Sequence, residues 1–97
     1  MRLLSAESTD AIFEEQANGT DLVLGVPLRF GMGYGLSTDI MPIGPKTCYW
    51  GGYGGSLIIM DQETELTVCY VMNKMQGGLV GDMRGATLLM EAVAALA

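Results

Sequence analysis

Two glycine pairs in the middle of the chain are the residues whose types and spacing point most directly to chemistry. They lie in the segment Cys-Tyr-Trp-Gly-Gly-Tyr-Gly-Gly-Ser, which spans residues 48–56 and leads into the apolar run Leu-Ile-Ile-Met. Because glycine has no Cβ, such a segment leaves room for a ligand or another chain to lie against the backbone, with its N–H groups accessible. The segment is therefore a candidate place for a substrate or another chain to bind.

Other kinds of catalytic centre are excluded by composition. The chain has no histidine, which rules out a Ser-His-Asp or Cys-His centre within it and removes the commonest metal ligand. Its two cysteines, Cys48 and Cys69, lack CxxC spacing and fall in apolar segments, so we interpret both as buried free thiols. No metal site, no cofactor and no complete catalytic centre is predicted in this sequence.

The glycine pairs begin a longer pattern that covers most of the chain. An apolar strand, a turn opened by Asp61, a second apolar strand ending in Val-Met-Asn-Lys-Met and a closing helix follow them. With Trp-Gly-Gly in front, this pattern resembles the carboxyl-terminal part of serine β-lactamase-like hydrolases, and especially the esterases of that superfamily. Penicillin-recognising enzymes carry Lys-Thr-Gly on this strand, and the esterase-like branch commonly has Trp-Gly-Gly instead. Lys46-Thr47 does not supply the triad, because Cys48 follows where glycine is required.

The resemblance implies that Trp50, Gly51, Gly52 and Tyr53 are the substrate-binding residues. The Trp50 side chain would border a cleft for the acyl or alcohol group, although a core tryptophan at the start of a strand is the alternative. The Tyr53 backbone N–H would be one of two donors of an oxyanion hole, the other being the N–H of the nucleophilic serine. Crowding at Gly52 would then disturb that donor.

The nucleophile itself is not found in the sequence. In this superfamily it belongs to a Ser-x-x-Lys motif, and none of the four serines here has lysine three residues later. The resemblance therefore implies that serine and lysine lie upstream of Met1. We predict one domain over residues 1–97, a carboxyl-terminal fragment of a β-lactamase-related domain.

Period-two patterns predict the sheet that must position these residues. In residues 28–36, bulky apolar side chains alternate with Arg29 and three glycines, which predicts a strand with one packed face. Residues 54–60 and 65–72 are predicted to form a hairpin around residues 61–64, with Asp61 hydrogen-bonding its own turn.

Helices are predicted at both ends. Ser5 caps a helix over residues 6–16, and Asp82 caps one over residues 83–96, with Arg84 a surface charge beside the cap. Apolar residues at 86, 89, 90, 93 and 96 form a stripe expected to lie across the sheet, and the methionines at 60, 72, 75, 83 and 90 are interpreted as core filler. The class is α+β: an antiparallel sheet flanked by N- and C-terminal helices, a partial β-lactamase-like α/β sandwich.

Composition limits the partners. The net charge of −6 provides no basic surface for nucleic acid. No apolar run is long enough for a membrane span, and the amino terminus lacks the apolar stretch of a secretion signal, so we expect a cytoplasmic protein. With 49% hydrophobic residues in 97, the chain has more apolar surface than a small core hides, which predicts a homo-oligomer or an upstream catalytic segment as partner.

Three interpretations of function follow. In the first, the chain is the carboxyl-terminal portion of a β-lactamase-like serine hydrolase, a carboxylesterase acting on a small-molecule ester or amide. It supplies the cleft-lining strand and part of the oxyanion hole. In the second, it is a non-catalytic interaction module that pairs with another chain through an exposed sheet edge around residues 51–55. In the third, it is a remnant with no biochemical role. Activity toward a short-chain ester, tested with the upstream part supplied, separates the first from the other two.

Overall fold

The fold is α+β, as the sequence predicts. The computed structural model describes residues 3–39, 43–78 and 81–96. The described elements, in chain order, are α1 Ala6–Ala11, β1 Ala17–Thr20, β2 Pro27–Phe30, β3 Thr47–Gly51, β4 Leu57–Asp61, β5 Leu66–Tyr70 and α2 Met83–Leu96. Antiparallel strands are thus flanked by an amino-terminal and a carboxyl-terminal helix.

The strands form two antiparallel groups that one glycine joins. β1 pairs with β2, and β3, β4 and β5 form a three-stranded sheet with β4 in the middle. Gly35 lies between the groups: it forms a bridge with Phe30 on one side, and its N–H donates to the Tyr49 carbonyl at 2.8 Å on the other. A Cβ on Gly35 would lie 2.8 Å from the Tyr49 ring, so this close approach requires glycine.

The predicted strand over residues 28–36 is correct only in its first part. β2 ends at Phe30, and the Gly31 N–H then donates to the Tyr34 carbonyl at 2.9 Å, which turns the chain back on itself. The glycines that allow this turn are spaced at alternate positions, and the same spacing produced the period-two pattern. Turn and strand are therefore indistinguishable by periodicity in this segment.

The first helix begins at the predicted residue but is shorter than predicted. The Ser8 N–H donates to Ser5 Oγ at 3.1 Å, as expected for an N-cap. The helix ends at Ala11, and the Gln16 N–H donates instead to the Phe30 carbonyl at 2.8 Å. Residues 12–14 form a turn, and of the predicted helix only Gln16 donates a backbone hydrogen bond to β2.

The β4–β5 hairpin is confirmed, including the role of its aspartate, but its strands Leu57–Asp61 and Leu66–Tyr70 are shorter than the predicted ranges 54–60 and 65–72. Asp61 accepts hydrogen bonds from the Glu63 N–H at 3.0 Å and from the Thr64 hydroxyl at 2.7 Å. The Thr64 hydroxyl is the main reason why the pKa of the Asp61 carboxyl is lowered. The side chain thus closes its own turn, as turn-initiating aspartates do.

The core is small and lies on one face of the three-stranded sheet. Tyr49, Leu57 and Ile59 are buried there, and Leu89 of α2 packs against them. α2 begins and ends as predicted, with Asp82 Oδ1 accepting from the Arg84 N–H at 2.9 Å.

Several side chains assigned to the core are exposed instead. The predicted stripe of α2 is only partly covered, because Met90, Val93 and Leu96 are 61%, 52% and 55% exposed. Interpreting all five methionines as core filler is wrong as well, since Met75 and Met83 are also exposed. Of the two thiols, Cys48 is buried, which raises its pKa, whereas Cys69 is exposed, contrary to expectation. Neither helix of the described ranges is both long and apolar enough to cross a membrane.

Candidate functional site

Trp50 lies in β3 on the face of the sheet opposite the core. It pairs in register with Ile58 of β4, and its neighbour Tyr49 points to the buried face. The Trp50 ring is half-buried, and its centroid lies 5.3 Å from that of Phe30, with the two rings tilted by 49°. Phe30 therefore holds one side of the indole and leaves part of it open.

An open hollow of about 410 Å³ borders this face of the sheet. Three of the four predicted binding residues, Trp50, Gly51 and Gly52, line it together with Ile58 and Cys69. Among the residues that the structure describes, no charged side chain lines the hollow, so its chemistry suits an apolar group. Trp50 is thus neither fully exposed nor part of the buried core, and Tyr53 does not line the hollow.

The turn after β3 uses most of its N–H groups inside the chain. The N–H of Gly52 donates to the Ser56 carbonyl at 3.0 Å, that of Gly54 to Gly78 at 3.3 Å, and that of Gly55 back to Gly52 at 3.4 Å. The expectation that the whole glycine segment presents accessible donors is therefore wrong for these three residues.

Tyr53 differs from its neighbours in this turn. Its N–H donates to no acceptor within the described ranges, and its side chain is 64% exposed. Because the Tyr53 N–H has no acceptor among the described residues, it can donate to a ligand at this end of β3.

In the second glycine pair, the protein's own packing leaves no room for side chains. Gly54 and Gly55 have φ values of +104° and +122°, which other residues rarely adopt. A Cβ on Gly54 would lie 2.6 Å from Met75 Cε, and one on Gly55 would lie 2.5 Å from both the Arg84 guanidinium and the Asp82 carboxylate. The space that the sequence suggested for a ligand is occupied here by the protein's own side chains.

Arg84 connects this turn to the start of α2. Its Nη2 donates to the Gly54 carbonyl at 3.0 Å and its Nη1 to the Lys74 carbonyl at 2.6 Å. The Asp82 carboxylate accepts from Nη2 at 2.6 Å, and the guanidinium lies 5.8 Å from the centroid of the Tyr70 ring. Hydrogen bonding from Arg84 lowers the pKa of Asp82, and Asp82 in turn raises the pKa of Arg84.

Interpreting Arg84 as a plain surface charge misses these contacts. Only the helix cap at Asp82 leaves a sequence signal, because the carbonyls that Arg84 reaches lie 10 and 30 residues away. Non-local contacts of this kind have no periodicity, so the sequence alone could not have shown them.

The site has no nucleophile with a base at hand. Ser56 is the one serine of the segment, and Ile59 stands where a Ser-x-x-Lys motif requires lysine. In the part of the chain that the structure describes, no three His, Cys, Asp or Glu side chains are grouped so as to hold a metal ion. What this arrangement can do is provide a backbone donor and an apolar wall.

These features, a Trp-Gly-Gly strand followed by a hairpin and a closing helix, are those of one class of hydrolase fold. The chain belongs to the β-lactamase family, whose model matches residues 1–91. The resemblance seen in the sequence is thereby confirmed.

Two solved structures are similar to this chain over nearly its whole length. The crystal structure of a family VIII carboxylesterase is 30% identical and superimposes with a TM-score of 0.85 over 96% of this chain. EstA from Arthrobacter nitroguajacolicus Rue61a is 28% identical, with a TM-score of 0.76 over 98% of this chain. The chain spans 26% of the length of each of these proteins. A comparison with curated protein sequences finds no significant match.

Proposed function

We propose that this chain is the carboxyl-terminal portion of a β-lactamase-like serine hydrolase that acts as a carboxylesterase. It supplies the cleft-lining strand and one oxyanion donor, and the Ser-x-x-Lys nucleophile is supplied by a segment outside this sequence. The observation that carries the proposal is a Tyr53 N–H, directly after Trp-Gly-Gly, that donates to no acceptor among the described residues, in a chain similar to a family VIII carboxylesterase.

Each part of the site has a chemical task under this proposal. When a serine attacks an ester carbonyl, negative charge develops on the carbonyl oxygen, and a positioned N–H stabilises that charge in the transition state. Tyr53 provides this donor, and the attacking serine provides the second from its own backbone. The apolar hollow beside Trp50 takes the hydrocarbon part of the acyl or alcohol group, so the substrate is a small ester or amide.

The alternative, a module that pairs through the glycine-rich edge, has less support. Strand addition needs free N–H groups and carbonyls along the edge. Gly52, Gly54 and Gly55 already donate within the chain, and Gly35 occupies the outer edge of β3 at Tyr49. Continuous pairing with another strand there would require breaking these bonds.

A chimera tests the proposed function. This chain replaces the matching quarter of the family VIII carboxylesterase, so that the host supplies the remaining part of the fold. We expect hydrolysis of p-nitrophenyl butyrate and acylation by a fluorophosphonate, detected by intact mass. A chimera that unfolds cooperatively yet neither hydrolyses the ester nor becomes acylated would contradict the proposal.

The 97-residue chain alone should be inactive. It holds no serine activated by a lysine or histidine, so neither aryl esters nor cephalosporins should be hydrolysed above background. The measurement is intact mass after incubation with a fluorophosphonate or a β-lactam. A stoichiometric covalent adduct would show that the chain has a nucleophile of its own and would refute the division of roles proposed above.

A further inference from the structure

Backbone hydrogen bonds to residues before α2 hold the turn that carries Tyr53. The Gly81 N–H donates to the Gly52 carbonyl at 3.3 Å, and the Gln76 N–H donates to the Gly54 carbonyl at 3.0 Å. The Gly54 N–H completes the set by donating to Gly78. Both peptide groups that flank Tyr53 are therefore fixed to the segment preceding α2.

The guanidinium of Arg84 adds further hydrogen bonds to this turn. Arg84 donates to the carbonyls of both Gly54 and Lys74, so it ties the turn to the segment that covers it. A planar guanidinium with five donors in a fixed fork can serve two carbonyls and a carboxylate at once, which a lysine ammonium does less well. The Asp82 carboxylate contacts Nε at 3.1 Å and Nη2 at 2.6 Å and so sets the plane of the fork.

We infer that Arg84, oriented by Asp82, is a positioning residue that fixes the Tyr53 N–H as an oxyanion donor. Neither side chain touches the substrate; both act through the Gly54 carbonyl, which belongs to the residue next to Tyr53. This inference rests on the proposed function. Positioned donors act without reorganisation at the moment of reaction, so a loosened turn lowers turnover even when the fold is intact.

Two variants test the inference, and a third variant serves as the matched control. Arg84→Lys keeps the charge but loses the fork, and Asp82→Asn keeps a residue that caps α2 equally well while removing the carboxylate. Arg29→Lys is the control, because Arg29 also pairs with a carboxylate, Glu15 at 2.6 Å, and reaches a carbonyl, yet lies in β2.

The first measurement needs no activity and uses the 97-residue chain. Hydrogen exchange followed by NMR should show the Gly54 and Gln76 amides exchanging about tenfold faster or more in Arg84→Lys and Asp82→Asn, as expected for local opening. Amides of the β4–β5 hairpin should be unchanged, and Arg29→Lys should leave the turn unaffected. Unchanged exchange at Gly54 and Gln76 in both variants would show that Arg84 does not hold the turn.

The second measurement links the turn to catalysis in the chimera. Both variants should lower kcat by about 10–100-fold with KM nearly unchanged, because a donor that acts only in the transition state does not affect ground-state binding. Normal kcat in an Arg84→Lys variant of an active chimera would overturn the positioning role and leave the proposed function intact. A folded but inactive wild-type chimera would overturn the proposed function, and the positioning role with it, whatever the exchange rates show.

Discussion

At the scale of single residues, the two parts of Trp-Gly-Gly are expected to serve different steps. Trp50 presents an apolar surface to the hollow, and under the proposed function this surface would contribute binding energy to substrate and transition state alike. Gly52 precedes Tyr53 and has its own N–H fixed to Ser56, so its backbone determines where the Tyr53 N–H points. Substitutions at these two positions should therefore be separable in kinetics.

Gly52→Val in the chimera should lower kcat by about 10²–10³-fold, the effect of losing one oxyanion donor. A Cβ at this position would lie 2.6 Å from Ser56 Oγ, a hydroxyl that can rotate away, so the strands can remain in place while the valine methyls crowd the substrate and tilt the Tyr53 N–H. Trp50→Ala should instead raise KM and alter the preference for acyl chain length. If both variants lose several kcal/mol of folding stability with unchanged turnover per folded molecule, as core truncations do, the cleft assignment is wrong.

The Asp82 carboxylate predicts a specific dependence on pH. Its pKa is lowered in the folded chain, chiefly by hydrogen bonds from Arg84. A lowered folded pKa means that the contribution to stability is fully present above the ordinary aspartate pKa of about 3.9 and is lost as pH falls through the folded value.

Urea unfolding midpoints of the wild type and Asp82→Asn, measured over a series of pH values, test this dependence. Their difference should stay constant from neutral pH down to about pH 4 and shrink only below that. A difference that disappears between about pH 7 and pH 5 would mean that another group is responsible.

At the scale of elements, the sequence predicted the features that depend on residues close to one another in the chain. The Asp61 turn and the Asp82 cap lie within a few residues of the N–H groups they serve, so the β4–β5 hairpin and α2 are found where the sequence places them. β1 is different, because Ala-Asn-Gly-Thr has low strand propensity and is extended only through its pairing with β2. Tertiary pairing overrides local preference there.

Some features of the candidate site can likewise be predicted from the sequence, and others cannot. The sequence pattern identifies Trp50 and the first glycine pair, because a resemblance needs only residue types in order. It does not reveal that Arg84 and Asp82 fill the space at Gly55, since the contacts of Arg84 join the turn after β3 to α2 across about 30 residues. Glycine spacing indicates a close approach, but the sequence does not say which atoms make it.

The packing of α2 predicts that two positions of its apolar stripe contribute differently to stability. Leu89 packs against the buried cluster on the sheet, whereas Val93, one turn further along the same predicted stripe, is 52% exposed. Leu89→Ala should therefore reduce the free energy of unfolding by about 1–2 kcal/mol. Val93→Ala should change it by less than about 0.5 kcal/mol. Equal losses in urea titrations would show that the whole stripe is covered in solution.

At the scale of the whole molecule, apolar side chains exceed what the fold covers. Leu22, Val23 and Val71 are 100%, 92% and 76% exposed, and an open hollow borders the face of the sheet that carries Trp50. A soluble chain that presents so much apolar surface is expected to bury it against another surface. In the esterase that this chain resembles, three quarters of the protein lies outside the match, which would provide such a surface.

Without that surface the isolated chain should associate with itself. Sedimentation velocity in the micromolar range should show dimers or larger species, and an apolar dye should bind and fluoresce. Val71→Lys places a charge on the open face beside the edge strand β5 and should shift the chain toward monomer. Gln62→Lys makes the same change in net charge in the exposed turn and should leave association unchanged. A sharp wild-type monomer that binds no dye would mean that the chain covers its own apolar face and needs no partner to be a complete fold.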